Sequence, residues 1–492
     1  MSLPPLLDLC VAGRWRPGSG EVYETCYPAT GEPVAALRAA TPADVDEAIE
    51  GAHRAWRASG WATAKPHERA AVLYRVAGLI RRDAERLAQL QRQDNGKPIA
   101  ETRALVASAA GTFQYMAAAC ETLEEAITPS RGPYLTMSVH EPMGVVAAIT
   151  PWNSPIASEA QKLAPALAAG NAVVLKPAEV TPLLALELAR LCDEAGLPRG
   201  LLSVLPGKGS VIGDAITRHP LVRRVAFTGG TATGRHIARI AAEKMMPVSL
   251  ELGGKSPTMV LDDADLDHAV AGVLYGIFSS SGESCIAGSR LFVARRIRDA
   301  FVERLVAGAR RLRVGDPADE RTQMGPLITA AHRASIERHV QAALDDGGRL
   351  LCGGRRPAGG LYERGWFYEP AIVEGLDNAS RLAREEVFGP VLLVLPFDDD
   401  EDLIAQANDS VYALAAGLWT RDFQRAWKIA RAVQAGTVWI NTYKLFSIST
   451  PFGGWRDSGL GREKGREGIL QYMEQKSLYW GLNAEPLPWA LS

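Results

Sequence analysis

The chain has 492 residues, 47% of them hydrophobic and 22% charged, with a formal net charge of −2. That is ordinary globular composition, with length for two or three domains and ample core. The balance of charge excludes the basic footprint of a nucleic-acid binder, and the Arg-rich stretch 304–313 reads as a solvated helix face.

In chain order, the opening MSLPPLLDLC lacks a cationic start and a long apolar run, so no signal peptide is expected. Thr41-Pro42 supplies an N-cap and a first-turn proline, and Val45, Ile49, Ala52 and Trp56 recur at helical spacing. A second helix is predicted from about 66 to 93, with Val72, Leu73, Val76, Leu79, Ile80 and Leu87 on one face, ended by Asn95-Gly96. YLTMSVHEP at 134–142 alternates in period two between prolines, as a strand leaving the body would. Residues 143–262 alternate short apolar runs with helical patterns: MGVVAAI, a helix over 155–169, AVVLK, a helix from Thr181-Pro182 to Gly196, then LLSVL, VRRVAF and PVSLEL. Such alternation predicts an α/β protein with a mostly parallel sheet covered on both faces. A second α/β region follows over 254–455, with strands TMVL, RLFVA, VLLVLPF and GTVWIN. The tail carries Tyr479, Trp480, Leu482 and Trp489, an apolar set that predicts subunit contact. The longest apolar stretch is strand-sized, so no membrane span is expected. Six scattered cysteines show no CxxC or metal-ligand spacing, which predicts no metal, no disulfide framework and a cytoplasmic location.

Cys285 stands out in SGESCIAGSR, flanked by Gly282, Ser284 and Gly288, in a loop between a helical pattern (264–278) and a strand (290–294). A cysteine nucleophile needs a base and an oxyanion donor. Glu251 ends the strand PVSLE just before Leu252-Gly253-Gly254, where the chain can turn sharply beside a ligand. Asn153, in TPWNSP, is held between two prolines, and its amide can face a developing oxyanion. Taken singly, these residues also fit plainer roles as a core cysteine, a solvated strand-end carboxylate and a turn asparagine. No clean G-x-G-x-x-G is present. Gly207-Lys208-Gly209 and Gly229-Gly230 do sit at strand-to-helix turns, which offer helix N-termini to phosphate. Lys176 and Glu179 follow the strand AVVL, and a carboxylate there can accept ribose hydroxyls and repel a 2′-phosphate.

Seven motifs stand in one order: TPWN (150–153), KPAE (176–179), FTGG (227–230), ELGGKSP (251–257), GESCIAGSR (282–290), EEVFGP (385–390) and PFGG (451–454). In them the chain resembles the aldehyde dehydrogenase superfamily over essentially its full length. The resemblance implies a Rossmann-like NAD-binding domain (1–124 and 143–253), a catalytic domain (254–455) and a small β oligomerisation arm (125–142 and 456–492) that builds a homodimer or homotetramer. It implies that Cys285 is the nucleophile, Glu251 the general base and Asn153 the oxyanion donor. It further assigns Lys176 and Glu179 to the adenine-ribose contacts of NAD and Gly229 and Gly230 to the pyrophosphate turn, with Ala178, Gly209, Phe227, Thr228 and Thr233 also at the cofactor site. Many members carry serine where Gly230 stands. Glu386 and Phe388 match the nicotinamide-ribose clamp, and Thr150, Pro151, Trp152, Leu252 and Gly253 are further cofactor-site residues. NAD is expected over NADP.

The same register puts Ser154, Ser158, Glu159, Gln161, Ser284, Lys444, Leu445, Phe446 and Phe452 near the aldehyde entrance. Serines and a glutamine there predict a roomy, polar tunnel for a polar aldehyde or semialdehyde. Lys444 either attracts a carboxylate or points to solvent. Two rival functions fit part of this pattern: a CoA-acylating semialdehyde dehydrogenase and a non-catalytic structural protein. The presence of Glu251 favours hydrolysis over acyl transfer to CoA. The complete set of Cys285, Glu251, Asn153 and Glu386 favours an enzyme.

Overall fold

A computed structural model describes residues 6–483 and Trp489. The first five residues of the opening segment, and residues 484–488 and 490–492 of the tail, lie outside the described residues.

Local chemistry sets the first helix, Pro42–Ala58. Thr41 accepts from the backbone of Asp44, and the Asp44 carboxylate accepts from Thr41 N at 2.8 Å, a reciprocal cap. The single helix expected over 66–93 is in fact two, Pro66–Arg82 and Ala84–Asn95. The break falls at Asp83, whose carboxylate is drawn to Arg82 at 2.7 Å and Arg86 at 3.1 Å, and aspartate is a weak helix-interior residue. Gly96, at φ 74°, closes the second helix in the left-handed conformation. The long helix Ile99–Glu121 that follows was not foreseen. Alanines on every side of it blur the stripe formed by Ile99, Val106, Phe113 and Met116.

The first large sheet has eight strands in the order Gly459–Leu460, Val248–Glu251, Val222–Thr228, Val145–Ile149, Ala172–Lys176, Leu202–Val204, Leu9–Val11 and Arg14–Arg16. The five inner strands from Val248–Glu251 to Leu202–Val204 are parallel, and the flanking short strands are antiparallel. The chain starts at Val145–Ile149, proceeds outward to Leu202–Val204, then returns to Val222–Thr228 on the other side. This reversal leaves a crevice beyond the carboxyl ends of Val145–Ile149 and Val222–Thr228, where open α/β sheets bind ligands.

The second sheet has seven strands, in the order Arg349–Cys352, Ala371–Glu374, Val391–Phe397, Arg290–Ala294, Pro257–Val260, Ala415–Trp419 and Thr437–Ile440. All pairs are parallel except the edge pair made by Arg349–Cys352. Alternation splits its core in two. Met259, Phe292 and Leu393 face one side, while Val260, Leu291 and Leu392 face the other. One contiguous core joins residues from Leu9 to Leu252 with Ile469 and Tyr472.

Residues 252–256 carry the chain directly from Val248–Glu251 into Pro257–Val260. The carboxyl ends of the first sheet therefore face the amino ends of the second. A third sheet pairs Tyr134–Pro142 with Ala126–Thr128 and with the tail strand Met473–Gly481. Gly459–Leu460 belongs to the first sheet, so the stretch 456–492 does not lie in one sheet. Among the described residues no helix is long and apolar enough to cross a membrane.

Candidate active site

Cys285 lies on the loop that enters Arg290–Ala294, and the approach to it is strained. Ser280, Ser281 and Gly282 all have positive φ, at 58°, 55° and 71°. Buried polar contacts hold this turn. Glu101 accepts from Ser280 N and Oγ, each at 2.8 Å, and the buried Glu283 accepts from Ile328 N at 2.8 Å. Asn153 reaches across from the first sheet, its Nδ2 donating to Glu283 O at 3.0 Å. An amide has two N–H donors, so one remains for a ligand beside Cys285.

Glu251 ends its strand with the side chain buried and neither carboxyl oxygen hydrogen-bonded. A Cβ on Gly453 would stand 2.7 Å from Glu251 Oε1, so PFGG is glycine-rich where it passes the carboxylate. Burial, reinforced by Glu463, raises the Glu251 carboxyl well above the usual range, against the opposing pull of Lys162, Arg462 and Lys464. Lys162 and Glu463 form a buried ion pair behind it. Burial also pushes the Cys285 thiol up to about 12, helped by Glu386 and Glu251 and opposed by Lys444. Three predicted centres, Cys285, Glu251 and Asn153, thus share one place at the join of the two sheets.

The predicted cofactor residues line the crevice leading to this place. Trp152 packs edge-on against Phe388 at 5.2 Å and His332 at 5.4 Å. Phe388 itself has φ 54°, and its carbonyl accepts from His332 Nε2 at 2.8 Å. Thr150 N donates to Lys176 O at 3.1 Å, while the buried Thr150 Oγ1 has no partner. Pro151 follows it, half-buried. Glu386 Oε1 accepts from Gly254 N at 2.9 Å, and burial raises its carboxyl to about 7. A Cβ on Gly253 would lie 2.3 Å from Glu386 Oε2. Farther along, burial lowers the Lys176 ammonium to about 8, partly offset by Glu179, and its Nζ donates to Pro177 O at 3.0 Å. Ala178 and Glu179 form the half-buried turn beyond it.

The glycine turns have room for phosphate. A Cβ on Gly230 would meet nothing within 4 Å, and one on Gly209 only the Lys176 side chain at 3.8 Å. Gly209 opens the helix Gly209–Arg218, Gly230 caps Thr231–Glu243, and the exposed Thr233 lies in that helix's first turn. Gly229 N donates to Glu251 O at 3.0 Å, tying the turn after Phe227-Thr228 to the strand that ends in Glu251. Leu252 is buried against Gly234 of the same helix. Open helix N-termini, an orphaned hydroxyl and an inward carboxylate form a cradle of the chemistry a dinucleotide needs.

The entrance residues divide. Ser154 Oγ and Ser158 Oγ are 2.9 Å apart, and Ser284, Gln161 and Phe452 are half-buried. Lys444 turns inward rather than to solvent, with Nζ 2.8 Å from Ser279 Oγ. Leu445 and Phe446 are exposed at 67% and 46%. Glu159 does not reach the entrance. It is fully buried beside Asp94, because it falls on the core face of Pro155–Ala168 with Ile156 and Leu163. Sequence reasoning missed His332, Lys162, Glu463 and Lys464. The last two lie in GREKG, just past the final motif; His332 carries no local signal and meets Trp152 only in the folded chain.

Comparison with known proteins gives a consistent result. The model of the aldehyde dehydrogenase family matches residues 15–478. A betaine aldehyde dehydrogenase of Mesorhizobium japonicum is 43% identical over 481 residues, covering 97% of this chain and 98% of that protein. The crystal structure of betaine aldehyde dehydrogenase from Staphylococcus aureus in complex with NAD+ superposes with a TM-score of 0.96 at 35% identity, covering 98% of this chain and 96% of that one. The NAD+ complex of an aldehyde dehydrogenase from Bacillus cereus gives 0.95 at 38% identity, with 97% of each chain covered.

Proposed function

Since the chain belongs to the aldehyde dehydrogenase family, we propose that it oxidises a polar aldehyde, semialdehydes included, to the carboxylic acid with NAD, through a thioester on Cys285. The observation that carries this reading is the convergence of Cys285, Glu251 and the Asn153 amide beside glycine turns open to a dinucleotide.

Each residue then has a chemical task. Cys285 gives its thiol proton to Glu251, which passes it to solvent; the thiolate attacks the aldehyde carbon, and the carbonyl electrons move onto oxygen. The free N–H of Asn153 and the Cys285 backbone N–H hold that oxyanion, worth on the order of 3 kcal/mol for a single donor. Collapse restores the carbonyl and releases hydride, leaving the thioester. Nicotinamide, when bound, supplies the hydride acceptor. Glu251 takes a proton from water, the hydroxide adds to the thioester, and the carbon–sulfur bond breaks to free the acid and the thiol. Buried and without a partner, the Glu251 carboxyl is suited to hold and move that proton.

Glu386 and Phe388 would hold the nicotinamide ribose, while Gly209 and Gly230 would cradle the phosphates. Lys176 and Glu179 would take the adenosine ribose, and the Glu179 carboxylate favours NAD over NADP. Relatives crystallised with NAD+ support the same choice.

A CoA-acylating reaction is the competing chemistry, and the inward Glu251 argues for water as the acceptor. Quantifying free acid against acyl-CoA, with and without added CoA, tests this. Free acid in both conditions is expected, and CoA-dependent turnover would contradict it. A non-catalytic role would be excluded by NADH formation from any small aldehyde. Assembly as a homodimer or homotetramer through the exposed strand Met473–Gly481, in the cytoplasm, completes the proposal.

A further inference from the structure

Two lysines outside the proposed chemistry border the approach to Cys285. Lys444 follows Tyr443, whose hydroxyl donates to Ile286 O at 3.0 Å, next to the nucleophile. Its own ammonium rests on Ser279 Oγ and lies 5.9 Å from the Tyr275 ring. Lys464 comes from the far end of the chain. Reciprocal 2.7 Å bonds between the backbones of Phe452 and Glu463 fix the segment that carries it. Its Nζ stands 3.9 Å from the centre of the Phe446 ring and 5.4 Å from that of Phe452.

Both lysines are half-buried, and both have positive φ, 56° at Lys444 and 61° at Lys464. Long side chains rarely adopt that backbone, so something must compensate for it. Among the described residues, neither ammonium has a carboxylate within ion-pair distance. Each is nonetheless close enough to Cys285 for its charge to bear on the thiol, and burial holds both ammonium groups down to about 8. Glu101 lies within electrostatic reach of Lys444, and Glu463 and Glu251 within reach of Lys464, but none of them pairs directly with either ammonium. Two inward cations with no direct ion pair at one entrance leave donors free for an anion.

Resting on the aldehyde-oxidising reading above, we infer that Lys444 and Lys464 together form a carboxylate clamp, so that the preferred substrates are aldehydes bearing a terminal carboxylate. The same geometry disfavours a quaternary ammonium substrate. The aromatic faces of Phe446 and Phe452, on which such a cation would rest, are already covered by Lys464, and its charge repels a second one.

The test compares kcat/KM for three aldehydes of equal length, ending in carboxylate, neutral amide or trimethylammonium. The holoenzyme is used as wild type, Lys444→Gln, Lys464→Gln, the double variant and Lys464→Arg. Wild type should prefer the carboxylate over the amide by about tenfold or more, with the trimethylammonium aldehyde poorest. Each glutamine should cut the carboxylate-to-amide ratio about tenfold, mainly through KM. Lys464→Arg should retain the ratio, and Lys464→Gln should raise the relative rate on the cation. A guard against misfolded variants uses the unaltered chain: a short dicarboxylate should compete with the aldehyde, its inhibition constant rising with salt. A wild-type ratio at or below one, a double variant with an unchanged ratio, or no competition by the dicarboxylate would overturn the clamp while oxidation of the amide aldehyde leaves the parent reading intact. No oxidation of any aldehyde would overturn both.

Discussion

At the scale of single residues, the proposed reactive groups sit in the protonation states that burial favours. The Cys285 thiol is pushed up to about 12 by burial and by Glu386 and Glu251. The Glu251 carboxyl is raised for the same first reason. An acid with a raised pKa keeps its proton to higher pH, so the base forms of both proposed groups become populated only as pH climbs. The expected kcat/KM therefore rises with pH and goes on rising into the alkaline range toward the Cys285 value of about 12, and a flat profile would contradict the assignment. Asn153→Ala should lower kcat about 100-fold, read by steady-state NADH formation. Glu159 offers a stability test away from the chemistry. Its carboxyl is raised by burial and by Asp94, so the folded chain keeps a proton that the unfolded chain releases near pH 4.3 or so, roughly the free glutamate value. Stability from this group is full below that unfolded pKa and declines as pH rises above it. Glu159→Gln should reduce the loss of Tm as pH rises from about 5 upward by on the order of 2 °C, measured by scanning calorimetry. An unchanged loss would show that Glu159 is not strained.

At the scale of elements, the site is made by turns. The strand Val248–Glu251 ends in Leu252-Gly253-Gly254, and Gly253 leaves space that Glu386 fills. Gly253→Ala would place a methyl 2.3 Å from Glu386 Oε2 and force the carboxylate away. The expected result is a rise of about tenfold in KM for NAD together with a lower kcat, and unaltered NAD kinetics would contradict the role of Glu386. These turns were legible before any coordinates because glycine, proline and asparagine at strand ends carry local meaning. So were the strands Val145–Ile149 and Ala172–Lys176, whose runs are short, apolar and bounded. The helix Ile99–Glu121 was not, because alanine fills buried and exposed positions alike. Nor was the break at Asp83, where charge pairing with Arg82 and Arg86 interrupts an otherwise even pattern.

At the scale of the whole molecule, the active-site join requires residues hundreds apart to meet, and motif order alone made that meeting readable. Asn153 and Glu283 lie 130 positions apart, and no local pattern predicts their hydrogen bond. Lys464, Glu463 and His332 were likewise invisible as site residues, since each acquires its neighbours from a distant segment. Glu159 was misplaced for a related reason: register gives a position on a helix but not which face turns to the core. The outer strand Met473–Gly481 forms a sheet edge with Tyr479 and Trp480 exposed at 73% and 67%. Exposed edges of this kind are ordinarily covered. Light scattering should give a dimer or tetramer, and a Tyr479→Lys, Trp480→Lys double variant should shift it toward monomer. A monomeric wild type would contradict the arm.

The account turns on a covalent bond to one sulfur. Glu251→Gln, mixed with NAD and an aldehyde and quenched within one turnover, should carry the acyl mass on the peptide containing Cys285, formed in step with an NADH burst, and Cys285→Ala should carry none. Aldehyde oxidation with that peptide unmodified, or turnover surviving in Cys285→Ala, would contradict the thioester directly.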